Sequence, residues 1–181
     1  MSNNGFIRVC SMAAILSSAL ALLIATAATA SIFAPGAMDI VIFMLMLVAD
    51  MFIFFTLTGV YFIQHQRVSN LGLAGYLIAI FGLLFSYIFA PLMWVLFPAG
   101  LLLLAIATQR ARMLPPVPMW LWLLGALIAI PMAILDATLL FALGMLTVAV
   151  SRAWLGAAMW DKSGTPGQKP VTLTESTSAG D

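Results

Sequence analysis

From Leu71 to Thr108 the chain runs for 38 residues without a single charged side chain. An α-helix rises 1.5 Å per residue, so about 20 apolar residues cross the roughly 30 Å of bilayer hydrocarbon. The stretch is therefore too long for one crossing, and Pro91 near its centre is where a helix breaks or turns. It reads as two spans. Met119 to Trp160, interrupted by Pro131 and Asp136, divides in the same way into a second tight hairpin.

Two earlier runs complete the set. One extends from Val9 to about Ala34 and stops at Pro35-Gly36, and the other from Ile40 to Ile63 stops at Gln64, His65, Gln66 and Arg67. The expected architecture is an all-α, polytopic transmembrane bundle of six helices. The spans fall at about 9–34, 40–63, 71–90, 92–108, 119–134 and 137–158, within one membrane domain covering 1–160. Pro115, Pro116 and Pro118 are expected to hold the loop from Gln109 to Pro118 out of helix. Residues 161–181, rich in Ser, Thr, Gly, Pro and charge, are expected to form a disordered cytoplasmic tail.

Composition agrees with this class. Hydrophobic residues make up 64% of the chain and charged ones 7%, with a mean hydropathy of +1.16, whereas soluble domains carry about 25% charged residues. The bilayer itself is the first partner this implies. Seven basic residues scattered singly make no nucleic-acid surface.

Orientation follows from the positive-inside rule. Six spans place Arg8, Arg67, Arg110, Arg112, Arg152, Lys162 and Lys169 on one face, which is then cytoplasmic, with both termini inside. The other face carries Asp39 and Asp136. Each cytoplasm-returning span ends in a polar residue followed by arginine, as Gln66-Arg67, Gln109-Arg110 and Ser151-Arg152. That spacing fits either a hairpin repeat or simply three hairpins with positive-inside anchors. A competing reading of the first run takes Arg8, the apolar core and Ala28-Thr29-Ala30 as a cleaved signal peptide, which would leave five spans.

Helices in lipid associate through close backbone approach, so small-residue stripes mark contact faces. Gly72, Gly75, Ala79, Gly82 and Ser86 recur at intervals of 3 and 4 on the third span, and Ala14, Ser18, Ala21, Ala25 and Ala28 do so on the first. The Leu, Ile and Phe residues on the other side of the third span suit lipid.

Asp50 stands near the middle of the second span, where an acidic side chain marks a candidate proton or cation site. No Lys, Arg or His is expected within a span to pair with it, and the hydroxyls of Ser17, Ser18, Thr56, Tyr76, Ser86 or Tyr87 are the candidate donors. The alternative is a protonated Asp50 that fixes helix register through a hydrogen bond. Pro98 and Gly100 invite a broken-helix ion site in the fourth span. Trp94, Trp120, Trp122, Trp154 and Trp160 read as interfacial anchors.

Catalytic and cofactor patterns are lacking. The sequence has no P-loop, GxGxxG, GxSxG or HExxH motif. His65 is the lone histidine and reads as a loop residue, and Cys10 the lone cysteine and a small apolar filler, so neither a metal site nor bis-histidine haem ligation is expected. No cofactor and no enzymatic activity are expected.

The segments VYFIQHQR, NLGLAGYLIAIFGLL and ATQRARMLPPVPMWLWLLG, between Gly59 and Gly125, resemble the small, uncharacterised six-span membrane proteins widespread in bacteria. The resemblance implies a fold and a location in the bacterial inner membrane, and no activity. Two functions stay open. One is a non-enzymatic subunit, homo-oligomer, assembly partner or sensor acting through helix contacts, and the other a small proton-linked or cation-linked transporter using Asp50.

Overall fold

The computed structural model describes residues 3–32, 37–67, 70–85, 90–135 and 137–164. Among them the chain forms six helices and no strands: α1 (Asn3–Ser31), α2 (Ala37–Gln64), α3 (Asn70–Phe85), α4 (Ala90–Ala111), α5 (Pro116–Ile134) and α6 (Thr138–Gly164). Three of them, over Asn4–Ser31, Ile40–Gln64 and Thr138–Ser163, are long and apolar enough to cross a membrane. The apolar stretches Asn70–Phe85, Val95–Ala111 and Pro116–Pro131 are shorter. Large apolar side chains such as Met12, Leu23, Met51, Leu84, Leu127 and Val150 face outward. An apolar exterior around a packed interior is what a hydrocarbon solvent selects, and three such helices indicate a membrane protein.

The helices form a ring in which α1 packs between α2 and α6, α5 packs on α6, and α3 on α4. Contacts between α4 and α5 join the two groups, while α2 touches α3 only sparsely. One end of the bundle is fixed by polar bonds. The buried Gln64 amide donates to Thr108 Oγ1 at 3.0 Å, tying α2 to α4, and Arg8 lies 5.7 Å over the Trp160 ring, tying α1 to α6. The exposed Arg67, Arg110, Arg112 and Lys162 share this end.

Prolines act as starters more than as breakers. Pro91 lies inside the first turn of α4, and Pro116 and Pro118 inside that of α5, where the missing N–H would have had no helical acceptor. The expected loop from Gln109 to Pro118 is accordingly shorter than the sequence suggested, because α4 continues to Ala111 and α5 begins at Pro116. Pro98 lies within an unbroken α4, and Gly100 is used for packing: a Cβ there would collide with the backbone of Ala79. The broken-helix site is thus absent from α4. At the other boundary, α6 runs on through Asp161 to Gly164, with the Ser163 hydroxyl bonded back to the Trp160 carbonyl at 2.7 Å, so the expected tail begins as helix. Its residues 165–181 lie outside the described residues.

Both small-residue stripes are buried inside the bundle. Gly72, Gly75, Ala79 and Gly82 face inward on α3, and a Cβ on Gly82 would lie 2.6 Å from the Phe97 backbone nitrogen of α4. Ser86 lies outside the described residues. Leu83, expected on the lipid side, is instead 2% exposed, because one helix turn brings it beside the stripe and into the core. The α1 stripe meets α6: Ser11 and Ser18, two turns apart, donate to the carbonyls of Gly156 and Ala149, also two turns apart, at 2.6 and 2.8 Å.

Candidate functional site

Arg152 and Trp122 depart most from the sequence reading. Arg152, taken as a cytoplasmic topology residue like Arg8, Arg67, Arg110 and Arg112, is only 4% exposed and lies within α6. Trp122, taken as an interfacial anchor, is fully buried. Helical spacing explains both. Val148, Arg152, Leu155 and Met159 follow the intervals of one helix face, all buried, and Met119, Trp122, Ala126 and Ala129 do the same on α5. The remaining tryptophans with described side chains, Trp120, Trp154 and Trp160, are exposed as anchors would be.

Local bonds set the register that brings these side chains together. The Ser151 hydroxyl donates to the Pro118 carbonyl, fixing α6 against the start of α5. Trp122 lies one turn beyond Pro118, so the next residue of α6 after Ser151 stands beside the indole. The Arg152 guanidinium lies 5.0 Å from the Trp122 ring centroid and reaches the Ser17 carbonyl of α1 from Nη1 at 3.4 Å. Phe97 of α4 meets Trp122 edge-on, with centroids 6.5 Å apart.

Asp50 belongs to the same place. It lines a central cavity of about 330 Å³ with Arg152 and Trp122. The expectation that no basic side chain lies within a span near Asp50 is therefore corrected: Arg152 comes from the far end of the sequence, which local reading does not connect. Of the hydroxyls considered as donors, those of Ser17, Ser18 and Thr56 are spent on backbone carbonyls, and Tyr76 pairs with Thr58 at 3.1 Å. Ser86 and Tyr87 lie outside the described residues.

All six helices contribute to the cavity wall. From the level of Asp50, Trp122 and Arg152 the lining climbs α5 through Ala126 to Ile130, α6 through Val148 and Met145 to Phe141, and α2 through Met46 to Phe43. These directions all lead toward the α1–α2, α3–α4 and α5–α6 connections. The cavity thus has a polar floor near mid-bundle and an apolar shaft above it.

Two donors at the floor have no hydrogen-bond partner among the described residues, the Trp122 indole Nε1 and the Arg152 Nε. Buried N–H groups are normally paired, since leaving one unmade costs its desolvation. His65 is exposed on the surface, its Nδ1 2.6 Å from the Phe62 carbonyl, and Cys10 is packed against Gly59. No group of three or more His, Cys, Asp or Glu side chains gathers among the described residues. The chain matches no protein-family model, no curated protein and no solved structure.

Proposed function

We propose that this chain is a non-enzymatic, multi-pass protein of the bacterial cell membrane that binds a small ligand inside its helix bundle, as a sensor or carrier. In this reading all six helices cross the bilayer, and both termini lie in the cytoplasm. The positive-inside rule supports that orientation, since Arg8, Arg67, Arg110, Arg112 and Lys162 remain exposed and gather at one end even with Arg152 withdrawn from the set. Retention of α1 is supported by its place between α2 and α6 and by the Ser17 carbonyl that receives Arg152.

The observation that carries the ligand reading is the cavity walled by all six helices and ending on Asp50, Arg152 and Trp122. The described residues of the small-residue stripes are occupied within the bundle and so lend an external partner no support. A cation carrier acting at Asp50 is disfavoured by the Arg152 guanidinium in the same cavity, because an incoming cation has to compete with a positive charge held there.

Native mass spectrometry of the purified chain tests this. The wild type is expected to retain a small lipophilic molecule that Ala126→Phe, which fills the shaft, loses while eluting as the same folded species. Identical bound mass in both, or none in either, contradicts the reading.

A further inference from the structure

We propose that the cavity selects an uncharged lipophilic molecule bearing one carbonyl-type acceptor, such as a fatty ester, whose oxygen takes the N–H groups of Trp122 and Arg152. This rests on the reading of the cavity as a ligand site and adds the chemistry of the ligand.

Three observations fix that chemistry. First, the two donors are unmatched among the described residues, and both side chains, each more than nine-tenths buried, line the cavity. A donor pair calls for an acceptor, and a carbonyl oxygen with two lone pairs takes both. Second, Asp50 lines the same cavity as Arg152 and supplies an acidic group there. A carboxylate ligand would bring a second negative charge into a poorly solvated site, whereas an uncharged oxygen adds none. Third, the shaft above the floor is apolar, formed by residues such as Met46, Ala126, Met145 and Phe141, and rewards a hydrocarbon body.

The direction of binding follows. The ligand's polar group sits at mid-bundle beside Trp122, and its hydrocarbon body runs toward Phe43 and Phe141. A phospholipid held with its headgroup at the membrane surface would point the opposite way. The Ser17 carbonyl accepts from Arg152 Nη1, so the guanidinium is held in place while its Nε has no partner among the described residues.

The test uses three radiolabelled probes of one chain length, methyl laurate, laurate and dodecane. They are titrated onto the full chain in lipid nanodiscs, with uptake by empty nanodiscs subtracted. The ester is expected to saturate at one per chain and to bind about ten-fold more tightly than dodecane, the gain available from one or two well-placed hydrogen bonds. Laurate is expected to be weaker than the ester. Trp122→Phe should remove several-fold of the ester's advantage over dodecane.

Equal binding of ester and dodecane, or tighter binding of laurate, overturns the proposal while leaving the cavity as a ligand site. Both outcomes are read in the wild type and need no variant to fold. Ester affinity unmoved in folded Trp122→Phe also overturns it. Absence of saturable binding by all three probes overturns this proposal and the ligand reading together.

Discussion

Arg152 holds its guanidinium 5.0 Å from the ring centroid of Trp122, so the buried cation of α6 rests on the buried indole of α5. A planar guanidinium stacks on an indole face in a way that an ammonium does not, and a desolvated pair of this kind contributes about 2 kcal/mol. Arg152→Lys keeps the charge and loses the fork and the stacking. It is expected to lower stability by about 1–2 kcal/mol, measured by unfolding in mixed micelles, although lysine and arginine serve equally well as membrane-surface anchors. Unchanged stability would return Arg152 to the role of a surface anchor.

The α3–α4 contact gives a second expectation. A Cβ on Gly82 lies 2.6 Å from the Phe97 nitrogen, and backbone cannot turn away as a side chain can. Gly82→Leu is expected to destabilise the bundle by about 3 kcal/mol, at the upper end of the cost of overpacking. Leu84→Ala, on the outward face of the same helix, should cost within about 0.5 kcal/mol. Thermal unfolding of the two variants in detergent makes the comparison.

Arg112 ends α4 with a positive φ of 52°, its N–H bonded to the Thr108 carbonyl at 3.1 Å. This is the left-handed closing residue of a helix, which glycine occupies without the strain a side chain brings there. Arg112→Gly is expected to raise stability by about 0.5–1 kcal/mol, visible as a higher unfolding midpoint. A loss of stability would mean that the Arg112 side chain contributes more than its backbone conformation costs.

Much of the architecture was legible because bilayer thickness is a ruler. Charge-free length and the polar stretches between runs locate six helices, with ends within six residues of those observed. The prolines misled in one respect, since a proline is a poor interior residue and a good first-turn residue, and the sequence alone does not say which turn it occupies. The stripe on α3 was legible through its spacing, and so was Asp50 as an outlier in its span. Arg152 was hidden by its neighbour: Ser151-Arg152 resembles Gln66-Arg67 and Gln109-Arg110, whose arginines are exposed. What distinguishes it is the inner face it shares with Val148, Leu155 and Met159, a periodicity that was available and that charge counting overrode. The cavity that Arg152 shares with Asp50 was beyond local reading, because it depends on how α6 docks between α1 and α5.

Asp50 and Arg152 are expected to act as one interdependent polar floor within the bundle. A double-mutant cycle of Asp50→Asn and Arg152→Met, read as unfolding free energy in mixed micelles, tests it most directly. Removing one member takes a neighbouring opposite charge away from the other in a poorly solvated site, so each single variant is expected to lose about 1–3 kcal/mol. The double variant, with neither charge, is expected to lose less than the sum of the two by at least about 1 kcal/mol. Losses that simply add would mean that the two residues stabilise the bundle independently and share no polar floor.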